Sequence, residues 1–400
     1  MNKITDRPHT ADTGQRSVLR NAPPDRIPDR PRPGRGAISN RNGRFERLRG
    51  VAIDDGWRTG RENADAGVDA GADPAPRLDT TVTFDRTKTI IARNDSPDIP
   101  FDRSINAYRG CEHGCVYCFA RPTHAWLGLS PGLDFETRLF AKPNAAELLT
   151  RELARPGYKP RTIAMGTNTD PYQPVERRLK ITRAILEVLA AHDHPVSIVT
   201  KSALVTRDLD ILGPMAAKGL ATVGVSLTTL DAELAQNMEP RAARPERRLE
   251  TIRMLAAAGL PVTVLAAPMI PALNDHELEA ILIRARQAGA THASYILLRL
   301  PLELKDLFEE WLATHYPDRQ RRVLSRLREM RGGALYKSGY GERMRGTGEV
   351  ARLLGERFRI ALRQQGYSME PTLLDAQRFQ RDRPRTTSSG QMNLFAETPD

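Results

Sequence analysis

Three cysteines, Cys111, Cys115 and Cys118, are all the thiols of this 400-residue chain, and they share one stretch, Tyr108-Arg109-Gly110-Cys111-Glu112-His113-Gly114-Cys115-Val116-Tyr117-Cys118. Thiols gathered this closely act together. At Cys-x3-Cys-x2-Cys spacing on a glycine-containing loop, their thiolates can converge on one soft metal centre. Three ligands are one too few for a closed site, and an iron-sulfur cubane held by three cysteines leaves one iron open to a non-protein ligand. A structural zinc site of three cysteines and His113 is the other donor set, although His113 lies between two of the cysteines, where it would struggle to complete a tetrahedron. A disulfide fits poorly, because the number is odd and Cys115 and Cys118 are too near in sequence for an ordinary staple. With no signal peptide ahead of these thiols, the reducing cytoplasm is the expected compartment.

The elements that must position this loop follow from patterning. An apolar share of 40% is ample for a buried core, and no apolar run reaches membrane-spanning length. From residue 104 onward strand-like and helix-like runs alternate, the mark of parallel βα units. The expected strands are 104–108, 162–166, 196–200, 222–227, 262–267 and 293–298, each apolar enough to be buried on both faces. Helices are expected over 144–154, 177–191, 207–218, 245–258 and 275–288, with Asn274 as an N-cap and Gly219, Gly259 and Gly289 as left-handed stops. Six units do not close an eightfold barrel, so the fold class is α/β, a partial (β/α)6 TIM-like barrel with chemistry beyond the carboxyl ends of its strands.

Around that core the pattern changes. Residues 1–78 read as a disordered basic arm and linker, within which Arg35-Gly36-Ala37-Ile38-Ser39-Asn40 and Phe45 look able to pack as an extended arm. A small hairpin or edge is expected at 80–84 and 89–91. The catalytic core spans 79–300, a helical extension with runs at 303–314, 318–330 and 349–363 spans 301–366, and 367–400 reads as a flexible tail with disordered character.

The cysteine spacing, with aromatic Tyr117 directly before the last cysteine, resembles the signature of the radical S-adenosylmethionine (SAM) enzymes. That resemblance implies a 4Fe-4S cluster on Cys111, Cys115 and Cys118, SAM chelated to its open iron, and reductive cleavage to a 5'-deoxyadenosyl radical. It also implies the same partial barrel. Ser104-Ile105-Asn106 ahead of the cysteine loop looks most like the spore photoproduct lyase-like branch, over roughly residues 80–299, although Ala107 stands where the branch usually has proline. Gly166-Thr167-Asn168-Thr169-Asp170, after the second strand, is similar to the branch's segment for the amino end of SAM. Lys201 and Ser226 stand where the resemblance implies contacts to the SAM carboxylate or ribose, Arg241 could pair with that carboxylate, and Met269 lies on an apolar ledge suited to adenine.

The substrate is less determined. The chain carries 60 basic against 49 acidic residues, a net charge of +11, which fits a polyanionic partner such as DNA or RNA. The founding member of the branch splits a thymine dimer in DNA and returns hydrogen through a cysteine outside the cluster. This chain has no fourth cysteine, so either a tyrosine such as Tyr117 or Tyr108 replaces it or the reaction differs, and the second is the expectation. A reduced flavodoxin or ferredoxin is implied as electron donor. Gln391-Met392-Asn393-Leu394-Phe395 resembles the peptides by which bacterial repair proteins dock on the sliding clamp, with Gln391, Leu394 and Phe395 as anchors. Action on RNA or a protein, and a zinc-stabilised binding module without catalysis, are the competing functions.

Overall fold

Apolar strand residues that alternate with amphipathic helices can bury both faces of a sheet only if the helices lie outside it and the chain keeps returning in one direction. A computed structural model, which describes residues 29–46 and 78–381, shows this arrangement. The strands are β1 (Thr81–Phe84), β2 (Ile91–Arg93), β3 (Arg103–Ile105), β4 (Tyr108–Arg109), β5 (Arg138–Ala141), β6 (Ile163–Met165), β7 (Val196–Thr200), β8 (Ala221–Ser226), β9 (Val262–Met269) and β10 (His292–Leu297). The larger sheet runs β2-β3-β6-β7-β8-β9-β10. From β3 to β10 every neighbour is parallel, six strands in chain order, and β2 is antiparallel at the β3 edge. The result is the partial (β/α)6 barrel.

Two local expectations hold only in part, for a long-range reason. At 80–84 and 89–91 the edge forms and the hairpin does not: β1 pairs in parallel with β5 in a separate three-stranded sheet with β4, while β2 joins the barrel edge. The first barrel strand is likewise shorter than expected, because the chain leaves β3 after Ile105 and pairs again through Tyr108 with β5. Asn274 stands at the N-cap position of the short 3-10 turn Asp275–Glu277, but its side chain does not cap that turn. It is fully buried, accepts from Ile270 N at 2.6 Å and donates to Thr228 O and Pro268 O at 2.8 and 3.0 Å, tying the loops after β8 and β9 together. Gly219, Gly259 and Gly289 do take positive φ, at 71°, 78° and 108°.

Strand residues such as Val196, Ile198, Val223, Val262 and Val264 are fully buried against helices Ile181–Ala191, Leu209–Ala217, Pro245–Ala257 and Leu278–Gln287. Beyond β10, helices Leu304–His315 and Pro317–Glu329 pack through Phe308, Trp311 and Leu327, and the Trp311 indole donates to Asn237 O at 3.0 Å. The segment after them links the two ends of the open sheet. Arg331 donates to Leu298 O at 3.1 Å beyond β10, and Arg343 and Gly341 N bond Asp98 in the β2–β3 connection. No helix among the described residues is long and apolar enough to cross a membrane.

Residues 367–381, expected to begin a flexible tail, lie instead across the amino ends of the strands. Ser368 N bonds Thr291 O, Asp375 N bonds Gly219 O and Gln380 N bonds His192 O, while Phe379 packs on Tyr158 and His194. The Gln391, Leu394 and Phe395 motif falls outside the described residues. Beneath Phe379 the His194 ring is buried, with Nε2 2.8 Å from the Tyr158 hydroxyl and Nδ1 3.1 Å from Pro195 O. Burial pushes its pKa from 6.5 down to about 4. The unfolded chain therefore takes up a proton at a pH where the folded chain refuses it, and stability falls as pH drops from 6.5 to 4, by on the order of 3 kcal/mol. Urea midpoints measured at pH 7 and pH 4.5 should show this loss, and His194→Gln should narrow the difference while the buried His124 and His315 keep their share of it.

Candidate active site

A loop that must present three thiols to one centre needs a backbone that turns sharply and is held from behind. Between β4 and the helix Arg121–Leu127, Gly110 and Gly114 take φ of 78° and 69°. A Cβ on Gly110 would stand 2.8 Å from Leu139 and 2.9 Å from Phe135 O, so only glycine lets the loop pass β5 this closely. Cys111 N donates to Phe135 O at 3.0 Å and Val116 N to Met238 O at 3.0 Å. Cys111, Cys115 and Cys118 are unbridged, the first two buried and the third half-buried. Burial pushes the Cys111 thiol up, with Asp170 adding to it, and burial likewise raises Cys115. Lys201 and Arg248 offset the rise at Cys115 only in part, and an iron centre bound by all three thiolates would supply the further positive charge.

Behind the loop stands a buried ion pair. Arg121, fully buried, donates through Nε to Cys115 O at 2.8 Å, through Nη2 to Gly114 O at 3.1 Å, and through Nη1 to Pro131 O and Gly132 O. Its remaining reach is to Glu136, also fully buried. Glu136 in turn accepts from Gly36 N at 3.0 Å and Ala37 N at 2.8 Å, and Arg35 donates to Glu136 O at 2.9 Å. The arm at residues 35–41 is therefore built into the site. A Cβ on Gly36 would fall 1.8 Å from Gly114 O, which fixes how close arm and cysteine loop lie.

The loop after β6 holds the cysteine loop from the other side. Gly166 has φ of 90°, and a Cβ there would be 2.0 Å from Val199 O. Thr167 Oγ1 and Asn168 N both donate to Asn106 Oδ1, at 3.2 and 3.0 Å. Thr169 Oγ1 donates to Gly110 O at 2.6 Å, and Gln173 receives Glu112 N at 2.9 Å while donating to Thr169 Oγ1 at 2.9 Å. Asp170 accepts from Thr200 Oγ1 at 2.7 Å, Lys201 N at 2.9 Å and Tyr172 N at 2.9 Å, with His113 Nδ1 3.3 Å away. Burial alone would raise its pKa, but His113, Lys201 N and Thr200 bring it down to about 2. His113 is thus engaged with Asp170. Among the described residues no three His, Cys, Asp or Glu side chains gather tightly enough for a single metal ion. A cubane instead spreads its ligands over separate irons, which suits three thiols and no histidine.

The other expected contacts lie at the same end of the barrel, and most are already partnered. Ser226, at the end of β8, donates to Ala267 O at 3.1 Å. Arg241 pairs with Glu112 at 2.9 Å, and its backbone N bonds His113 O. Met269 is fully buried at the end of β9, in the core that also holds Tyr295. The Lys201 ammonium stands 5.7 Å from the centre of the Tyr117 ring. Tyr117 donates its hydroxyl to Glu239, a fully buried carboxylate that also receives Thr228 Oγ1 at 2.6 Å and pairs with Arg248. Tyr108 donates to the buried Glu176. Sequence reasoning singled out none of Arg121, Glu136, Gln173, Glu239 and Arg248. Their only signal is a charged or amide residue that the fold buries, and burial is not visible in residue order.

The model of the radical SAM superfamily matches residues 105–285. A Mycobacterium tuberculosis protein described as uncharacterised is 38% identical over 304 residues, covering 74% of this chain and 87% of the relative. A Methanocaldococcus jannaschii protein, also described as uncharacterised, is 28% identical over 214 residues, covering 54% of this chain and 76% of its own. Among solved structures, a doubly substituted spore photoproduct lyase with bound AdoMet and dinucleoside spore photoproduct superposes with a TM-score of 0.51 at 17% identity, over 72% of this chain and 82% of that one. A spore photoproduct lyase complexed with dinucleoside spore photoproduct does so with a TM-score of 0.51 at 17% identity, over 71% and 78%. At that identity the likeness speaks for the fold.

Proposed function

The chain belongs to the radical SAM superfamily, and from that premise we propose an enzyme that holds a 4Fe-4S cluster on Cys111, Cys115 and Cys118, cleaves SAM reductively and acts on a nucleic acid, DNA before RNA. When bound, the cluster and SAM together supply an electron and a 5'-deoxyadenosyl radical able to take hydrogen from an unactivated carbon. The observation that carries the reading is the cysteine loop: it holds every thiol of the chain and is pinned from behind by Arg121 and Glu136 and from the side by Thr169, Asp170 and Gln173. Such pinning spares the loop from reorganising when it takes up its cofactor.

The chain's own residues then divide the work. We assign SAM to the carboxyl ends of β6 to β9, where Thr167, Asn168, Lys201 and Ser226 stand, with the fully buried Met269 backing the adenine end from within the core. Arg241 offers a guanidinium to the carboxylate of SAM only by sharing it with Glu112. Tyr117 serves to seat the loop through Glu239, and no hydrogen return is routed through it. With no fourth cysteine, the reaction ends differently from that of the branch's founding member. The net charge of +11 supports a nucleic-acid substrate. A reduced flavodoxin or ferredoxin as donor, a sliding clamp met by Gln391, Leu394 and Phe395, and a cytoplasmic setting complete the proposal.

The test is anaerobic reconstitution with iron and sulfide, reduction with dithionite, and measurement of 5'-deoxyadenosine released from SAM. Release at a rate above that of the unreconstituted protein is expected. A protein that takes up zinc, stays colourless and ignores SAM would replace this reading with a binding module.

A further inference from the structure

The loops and first helical turns after β6, β7 and β8 enclose a cleft of about 460 Å³ with His113 of the cysteine loop in its wall. Arg177, Arg207, Arg241 and Arg247 line it, no carboxylate does, and no barrel-strand residue contributes. Arg207 is held by Glu176 and Asp208, and Arg241 by Glu112, so both guanidiniums are fixed before any ligand arrives. Among the described residues neither Arg177 nor Arg247 pairs with a carboxylate. Ser202 accepts from Leu204 N through Oγ, which leaves its hydroxyl proton for an acceptor in the cleft.

Two uncommitted guanidinium forks suit a tetrahedral oxyanion, because an open fork meets two oxygens at once. Arg207, whose Nε and Nη2 are spent on Asp208 and Glu176, and Arg241, shared with Glu112, add fixed positive charge to the wall and not a second pair of forks. We propose that this cleft seats a backbone phosphodiester of a nucleic-acid strand, so that an adjoining nucleotide is presented beside the cysteine loop; this rests on the nucleic-acid reading of the substrate. The cleft's volume suits one sugar-phosphate unit and its concavity suits a strand. An acidic electron carrier, the other anionic partner, would instead meet the arginines across a broad face.

Both uncommitted arginines are exposed, so reversing their charge leaves the core untouched. The experiment uses the full reconstituted chain and fluorescein-labelled 20-nucleotide single-stranded and duplex DNA, read by anisotropy between 50 and 200 mM salt. Arg177→Glu with Arg247→Glu should weaken binding by about tenfold or more and lower the salt slope by about 1, the share of one phosphate. The control pair Arg321→Glu with Arg322→Glu, on the exposed face of Pro317–Glu329, should change binding little. Equal binding by the cleft variant and its parent, or an equal loss in the control pair, overturns the assignment. Unchanged DNA binding with slower cluster reduction by reduced flavodoxin, but not by dithionite, overturns it in favour of a carrier dock. A parent that binds neither DNA probe nor a labelled 20-nucleotide RNA of the same sequence removes the nucleic-acid reading itself, and the cleft's role with it.

Discussion

Cys118→Ser is expected to lower 5'-deoxyadenosine release to background, a loss of about 10³-fold or more, and to remove the iron-sulfur absorbance of the reconstituted protein. A serine hydroxyl is a poor ligand for a soft centre, and the chain has no other thiol to take its place. Cys111→Ser and Cys115→Ser should behave alike. The expectation is specific because the loop does not depend on its thiols for shape. Arg121, Thr169 and Asp170 hold it through backbone carbonyls and His113, and Cys118 is half-buried. The cluster-free Cys118→Ser protein should therefore unfold in urea within about 1 kcal/mol of the cluster-free parent. A variant that keeps full absorbance and activity would remove Cys118 from the ligand set.

Glu136→Ala is expected to cost about 3–5 kcal/mol of stability. It strands the buried Arg121 guanidinium and frees Gly36 N and Ala37 N, so the arm and the cysteine loop loosen together. Reconstituted Glu136→Ala protein should also lose iron faster on dilution. Glu136→Gln keeps the shape and one acceptor and should fall between. Because Arg121 and Glu136 act on each other, Arg121→Met in the Glu136→Ala background should cost well under the sum of the single changes. Additive costs would mean that the pair is not the support described here. Equilibrium urea unfolding and iron content against time give both answers.

Much of the architecture is legible in residue order because it depends on local rules. The βα alternation, the glycine stops and the three cysteines all express steric or ligand preferences that act over a few residues, and the structure keeps them. What misled was pairing across distance. Residues 80–84 and 89–91 look like hairpin partners because both favour strands, yet β1 finds β5, 57 residues later (Thr81 opposite Arg138), and β2 finds β3. Asn274 carries a cap's side chain, but its amide is worth more as a buried bridge than at a helix end the solvent can satisfy. Residues 367–381 lie down because Tyr367 and Phe379 pack on the barrel while the backbone N–H groups of Ser368, Asp375 and Gln380 meet carbonyls at its amino end, partners that residue order does not show.

The sequence by itself determined the donor set and the barrel that carries it: three thiols at fixed spacing and a repeating βα pattern are properties of residue order, because ligand number and hydrophobic period are set locally. The tertiary structure alone decided which charged groups are buried and what they hold. Arg121 beneath Gly114 and Cys115, Glu136 beneath Gly36 and Ala37, Asp170 between His113 and Lys201, and Glu239 under Tyr117 are ordinary surface residue types in the sequence. Folding takes them out of water, where an ionised group persists only with partners brought from distant parts of the chain.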